Sequence, residues 1–134
     1  IELYHGGLIL YSLGNFIFQS ETVSLQPYEA YDNKKMPVDT HVGEYMDKRS
    51  KNGTAGYPTQ KNIWRSVMAA WAMDGRRITG VQLYPISLGM RASRTFRGTP
   101  VLTQDDETLR YLAQLSKPFG TDIRIQDGVG YIDL

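Results

Sequence analysis

Most apolar positions of this chain fall into short runs with strand spacing, and one late stretch carries helix spacing. The densest run is Gly7–Phe18, GLILYSLGNFIF, where Leu8–Leu13 and Phe16–Phe18 flank Gly14-Asn15. Leu8, Leu10 and Ser12 alternate with Ile9, Tyr11 and Leu13, and both sets are largely apolar. That pattern predicts a water-excluded strand in the middle of a sheet, covered on each face. Gly14 and Asn15 readily take positive φ, so a bulge or tight kink is expected there. With Ile1–Tyr4 and the glycines of His5-Gly6-Gly7, the run reads as a β-hairpin. Val23–Tyr28 alternates apolar and polar residues and reads as a further strand, restricted to an edge or end by Pro27.

Ala30–Tyr57 changes character: it is polar, charged and turn-rich, and reads as a long insert loop (30–57) with one short helical turn near Val42–Met46. Pro58–Asn62 reads as a short helix leading into Trp64. Trp64–Met73 satisfies both helix and strand periods, and the Asp74-Gly75 turn before Ile78–Ile86 decides for a hairpin. Pro85 points to an edge or a strand end. Leu88–Pro100 is a basic loop. Thr103 and Asp106 have capping-box-like spacing, opening a helix whose stripe is Leu109, Leu112, Ala113 and Leu115. Lys117-Pro118 ends it and Gly120 turns the chain. A last hairpin follows, Asp122–Gln126, Asp127-Gly128 and Val129–Asp133. The chain therefore reads as mixed α/β and β-rich, with hairpins and one C-terminal helix.

Composition narrows the function classes. At 134 residues the chain is one domain's worth, with 41% hydrophobic and 22% charged residues, as in an ordinary globular protein. A net charge of +1 gives no global attraction to nucleic acid or anionic membrane. The absence of cysteine excludes disulfides and thiolate metal sites. No apolar run approaches the roughly 20 residues that span a bilayer. The chain opens directly on a strand at Ile1, without Met or leader, which reads as a piece of a longer protein.

No complete catalytic set is visible. The two histidines, His5 and His41, stand far apart in the sequence, without H-x-H or H-E-x-x-H spacing, and there is no G-x-S-x-G or phosphate-binding glycine loop. Asp105, Asp106 and Glu107 cluster where a helix start explains them. Two basic groups remain. Lys48, Arg49 and Lys51 can grip an anion or simply solvate the insert. Arg91, Arg94 and Arg97 can make bidentate contacts to phosphate or carboxylate, or fasten their own loop to acidic neighbours. Asn52-Gly53-Thr54 matches a glycosylation sequon.

YSLGNFIF (Tyr11–Phe18) and LSKPFGT (Leu115–Thr121) carry a more specific signal. Between them stand RSKNGTAGYP (Arg49–Pro58), the Trp64 segment, VQLYPISLG (Val81–Gly89) and RTFRGTPVLT (Arg94–Thr103). In this order the blocks resemble the CapA-type poly-γ-glutamate capsule-biosynthesis family. The resemblance implies the C-terminal portion of a single CapA-like domain, built as a metallophosphatase-like αββα sandwich. It further implies a metal-dependent, phosphoesterase-like activity in the complete protein, at the bacterial cell envelope. The divalent metal and its ligands would belong to the N-terminal remainder of that domain, with none expected in this segment alone. Implied partners are that remainder, an anionic polymer such as polyglutamate, or capsule-assembly proteins, with neither nucleic acid nor a membrane span. The Gly14-Asn15 kink would border the metal cleft, with Ser12 and Asn15 orienting its ligands by hydrogen bonds, the alternative being that Asn15 satisfies the backbone at its own kink. Lys48, Arg49, Lys51, Arg94 and Arg97 would be the anion contacts. The alternative is a non-catalytic polyanion-binding or structural module of a surface-polymer assembly system.

Overall fold

The computed structural model describes residues 1–134. It is a mixed α/β arrangement, rich in strands, with few helices. Strands β1 (Glu2–Tyr4) and β2 (Gly7–Ile9) form a small hairpin. The main sheet holds β3 (Arg65–Asp74), β4 (Arg77–Ser87), β5 (Val101–Leu102), β6 (Ile123–Gln126) and β7 (Val129–Ile132). Its order is β3-β4-β7-β6, all antiparallel, with β5 also on β4. The helices are α1 (Tyr28–Asp32), α2 (Val42–Ser50) and α3 (Asp106–Ser116). None is long and apolar enough to cross a membrane.

The two hairpins read from Asp-Gly turns are present. Asp74 pairs with Arg77 across a two-residue loop, and Gln126 with Val129 across Asp127-Gly128. Both turns are local signals, and each carries positive φ where the hairpin requires it. Antiparallel strands alternate sides, and the inward set here is Val67, Val81, Leu83 and Ile132, buried with Leu109 of α3 and with Ile1. On the other face Met68, Ala70 and Gln82 stay exposed.

Several expectations are corrected. Pro85 lies in the central strand, not at an edge. It falls between the β7 pairing, which ends at Leu83, and the β5 pairing, which starts at Ile86, so its missing N–H breaks no rung. Its carbonyl accepts the Thr103 N–H at 3.0 Å. That bond extends the β5 side, and α3 begins later, capped by Asp105, whose carboxylate accepts from the Glu107 N–H at 3.0 Å. Leu115 is exposed rather than part of the buried stripe, and Thr108 and Ser116 are buried instead.

Gly7–Phe18 is not a water-excluded central strand. β2 stops at Ile9, and Leu10–Phe18 runs without regular structure, with Tyr11 61% exposed. Leu8, Leu10 and Leu13 tuck against the core from its side. The Val23–Tyr28 strand is also absent: Pro27 precedes α1 instead. The 30–57 insert is no structureless loop. Tyr31, Tyr45 and Met46 are buried together, with the two tyrosine rings 5.2 Å apart, and this small core holds α1 against α2. His41 caps α2, its Nδ1 accepting the Gly43 N–H at 3.2 Å. The short helical reading of Pro58–Asn62 corresponds to two 3-10 turns, Tyr57–Thr59 and Lys61–Ile63.

This placement separates two leucines that share one sequence stripe. Leu109→Ala should cost about 2–5 kcal/mol in a denaturant titration, the range for emptying a core site. Leu115→Ala should stay within about 0.5 kcal/mol of the parent, as exposed positions do. Equal losses at both would contradict the packing.

Candidate functional site

The residues singled out by sequence gather largely at one end of the main sheet, where β3 begins and β4 stops. Three irregular segments are tied there by backbone bonds. The Leu88 N–H donates to the Trp64 carbonyl at 2.8 Å, the Gly98 N–H to Leu88 at 2.7 Å, and the Phe18 N–H to Gly98 at 3.0 Å. Gly98 has φ +89°, and a Cβ there would collide with the Phe18 carbonyl. Only glycine fits that crossing. The segments enclose a cavity of about 300 Å³ lined by Phe18, Glu21, Tyr57, Trp64, Arg94 and Arg97, among others.

Glu21 is the centre of this cavity wall, its side chain only 9% exposed. The Arg97 guanidinium grips it with two nitrogens, Nε to Oε2 at 2.9 Å and Nη2 to Oε1. The Tyr57 hydroxyl donates to Oε1 at 2.7 Å. Arg94 reaches Oε2 at 3.5 Å through Nε, and its Nη2 lies 2.5 Å from Asp47 Oδ1 on α2. Trp64 walls the site: its Nε1 donates to the Tyr57 carbonyl at 2.8 Å, and the Arg97 guanidinium stands 5.8 Å from its ring.

The charges explain the titration of this group. Burial by itself raises the Glu21 carboxyl, but the hydrogen bonds from Arg97 and Tyr57 and the charges of both arginines outweigh it, leaving Glu21 below its ordinary 4.5. Tyr57 is pushed up to about 12, by burial first and then by its bond to Glu21. Asp47 is held down chiefly by the Arg94 hydrogen bond. Two guanidiniums thus face two carboxylates, and the group is neutral. Arg94 and Arg97 fasten their loop to acidic neighbours, the structural alternative for these residues. Lys48, Arg49, Lys51 and Arg91 form no ion pair. Lys51 ends α2 in the left-handed region, and Arg49 stands 5.9 Å from the Tyr57 ring. Glu21 and Asp47 are the partners that sequence reading missed, because nothing local marks a carboxylate whose cation comes from another part of the chain.

Ser12, Gly14 and Asn15 lie at the same sheet end but outside this cavity. The Leu13 carbonyl accepts from Ser66 Oγ at 2.7 Å and the Val67 N–H at 3.3 Å. Gly14 turns the chain at φ +90°, where a Cβ would sit 3.0 Å from the Arg65 carbonyl. The expected kink is therefore present, and it lets the backbone pass over the start of β3. Asn15 Nδ2 donates to the Ile63 carbonyl at 3.2 Å, and Ser12 Oγ accepts the Gly14 N–H at 3.4 Å. Close by, Arg65 stacks 4.2 Å from the Tyr111 ring and bonds Asn62.

The chain's own side chains do not fit a metal centre. No three His, Asp or Glu residues converge. His5 packs edge-on to Tyr4 in an exposed turn, with ring centroids 4.2 Å apart, and His41 is occupied as a helix cap. The carboxyl cluster at Asp105 serves α3: its oxygens accept from the Glu107 N–H and the Thr108 hydroxyl.

No family model matches the chain. It is similar to two proteins of Sinorhizobium fredii (strain NBRC 101917 / NGR234), the uncharacterized proteins y4sH and y4uA. Each is 35% identical over 148 residues, a match covering all of this chain and 31% of the relative. The chain thus spans about a third of the length of the curated relatives it matches.

Glu21 gives this sheet end an acid-sensitive fastening. Its folded-state pKa lies below the unfolded one, so its stabilisation is complete above about pH 4.5 and disappears as pH falls through the folded value. Glu21→Gln should lower stability at pH 7 by roughly 1–3 kcal/mol, because Arg97 loses its charged acceptor. It should also flatten the acid limb of the stability curve. A variant with an unchanged acid limb would show that Glu21 does not hold these segments together.

Proposed function

We propose that this chain is the C-terminal portion of a CapA-like protein of metallophosphatase-like architecture. The complete protein is read as a metal-dependent, phosphoesterase-like enzyme of capsule or poly-γ-glutamate biosynthesis. What carries the reading is the meeting of its two most specific sequence blocks, which lie at opposite ends of the chain. Tyr11 of YSLGNFIF packs on Phe119 of LSKPFGT with ring centroids 5.1 Å apart. The blocks behave as parts of one structural unit. The much greater length of the Sinorhizobium relatives supports reading the chain as one portion of a longer protein, as do the exposed apolar side chains of Tyr11 and Phe119 at that contact.

In this reading the segment is scaffold. It supplies a sheet, a covering helix and the kinked backbone at Gly14-Asn15, and metal ligands come from the remainder of the domain. The test compares this chain with the full-length protein on a generic phosphate ester such as p-nitrophenyl phosphate. The expected result is hydrolysis by the longer protein with Mn²⁺, Zn²⁺ or Mg²⁺ and none by this chain. A full-length protein inactive with all three metals would overturn the enzymatic reading.

The unpaired Lys48, Arg49, Lys51 and Arg91 favour the second reading, a polyanion-binding module. Binding of polyglutamate at low salt should then weaken several-fold when Lys48, Arg49 and Lys51 are changed to Gln, and weaken again with added salt. Indifference to polyglutamate at low salt would remove that reading.

A further inference from the structure

The main sheet has two edges, and they are built differently. β6 is four residues long, carries Arg124 and is flanked by Asp122 and Asp127. Short length and charge are the usual protection of an edge against further pairing. β3 is ten residues long, and from Ser66 to Met73 (SVMAAWAM) it has neither charge nor proline. Its one irregularity is a register shift at Ala72/Met73, beside the turn. β3 pairs only with β4.

The outer side of this strand has one rung already occupied. The Val67 N–H points outward to the Leu13 carbonyl. Strand geometry repeats every two residues, so Ala69 and Trp71 turn their backbone groups to the same side. No backbone bond meets them there. The side chains are uncovered as well: Met68, Trp71 and Met73 are all exposed, Trp71 by 55%. This is a strand with the composition of a sheet interior and the position of a sheet edge.

We infer that the outer edge of β3, from Met68 to Met73, is a pairing seam at which the sheet continues with a strand from the remainder of the longer polypeptide. The inference rests on the proposed reading of the chain as one portion of a larger domain. About two thirds of each Sinorhizobium relative lies outside the matched region, ample chain to supply the occupant. It is an extended segment whose backbone meets Ala69 and Trp71, with apolar side chains against Trp71 on one face and Met68 on the other.

Hydrogen exchange on the full-length protein tests this directly, read per amide by NMR or by fragment-resolved mass spectrometry. The Val67 amide should exchange slowly in every case, since Leu13 already holds it, and it reports that β3 is folded. The expected result is exchange at Ala69 and Trp71 slowed by about 100-fold or more relative to the Gly75 turn amide. Exchange at Ala69 and Trp71 as fast as at Gly75 overturns the inference. Protection that vanishes on dilution to monomer also overturns it, because the occupant is then a second copy. An inactive full-length protein with protected Ala69 sinks the phosphoesterase reading alone. An active one with free Ala69 sinks the seam alone.

Discussion

Strand β4 is the part of the molecule on which the others converge. Along one side it pairs with β3 over nearly its whole length, and along the other it accepts β7 and then β5. Its inward side chains Val81 and Leu83 form the floor on which Leu109 of α3 is buried. One-sided burial is the governing constraint. An antiparallel sheet of this size hides one face under a helix and leaves the other wet, and the alternation of β3 and β4 follows that division. Pro85 is tolerated inside such a strand only because neither β7 nor β5 needs a donor at that position.

Where regular pairing ends, charge takes over. The sheet end at Trp64 and Leu88 is assembled from segments with no ladder of their own, and a nearly buried carboxylate joins them. Glu21 brings Arg97, Arg94 and Tyr57 to one point, and Arg94 carries the contact on to α2 through Asp47. A buried carboxylate is stable only when its oxygens are satisfied, and here three donors from two other segments do so. The same pairing neutralises Arg94 and Arg97 within the cluster.

The parts of this architecture legible in the sequence were those with local causes. Asp74-Gly75 and Asp127-Gly128 specify their hairpins within four residues, and α3 announces itself through Leu109, Leu112 and a terminating Lys117-Pro118. The rest depended on partners that spacing does not reveal. Gly7–Phe18 is apolar on both sides, which suits a central strand. Here Leu8, Leu10 and Leu13 wedge sideways into a core while Tyr11, Phe16 and Ile17 stay outside. The insert looked too polar to fold, yet Tyr31, Tyr45 and Met46 suffice, because two aromatic rings fill a small core and Val42, Tyr45, Met46 and Arg49 keep helical spacing. Thr103 does not start the helix: the chain there still runs along β4 from β5, its N–H bonded to the Pro85 carbonyl, and Asp105 takes the cap. At the candidate site, the basic residues were visible as a list of cations, and the carboxylates that neutralise two of them were not.

The crossing of Gly98 against Phe18 has a consequence for the order in which the molecule assembles. That contact closes a loop containing most of the chain, so its entropy cost falls on whichever step brings the two ends together. The β3–β4 hairpin needs no such closure and forms from neighbours. Contact order therefore predicts that the nucleus lies in the hairpin. On that order the Glu21 cluster is expected to lock afterwards, as a late clasp whose loss speeds unfolding more than it slows folding.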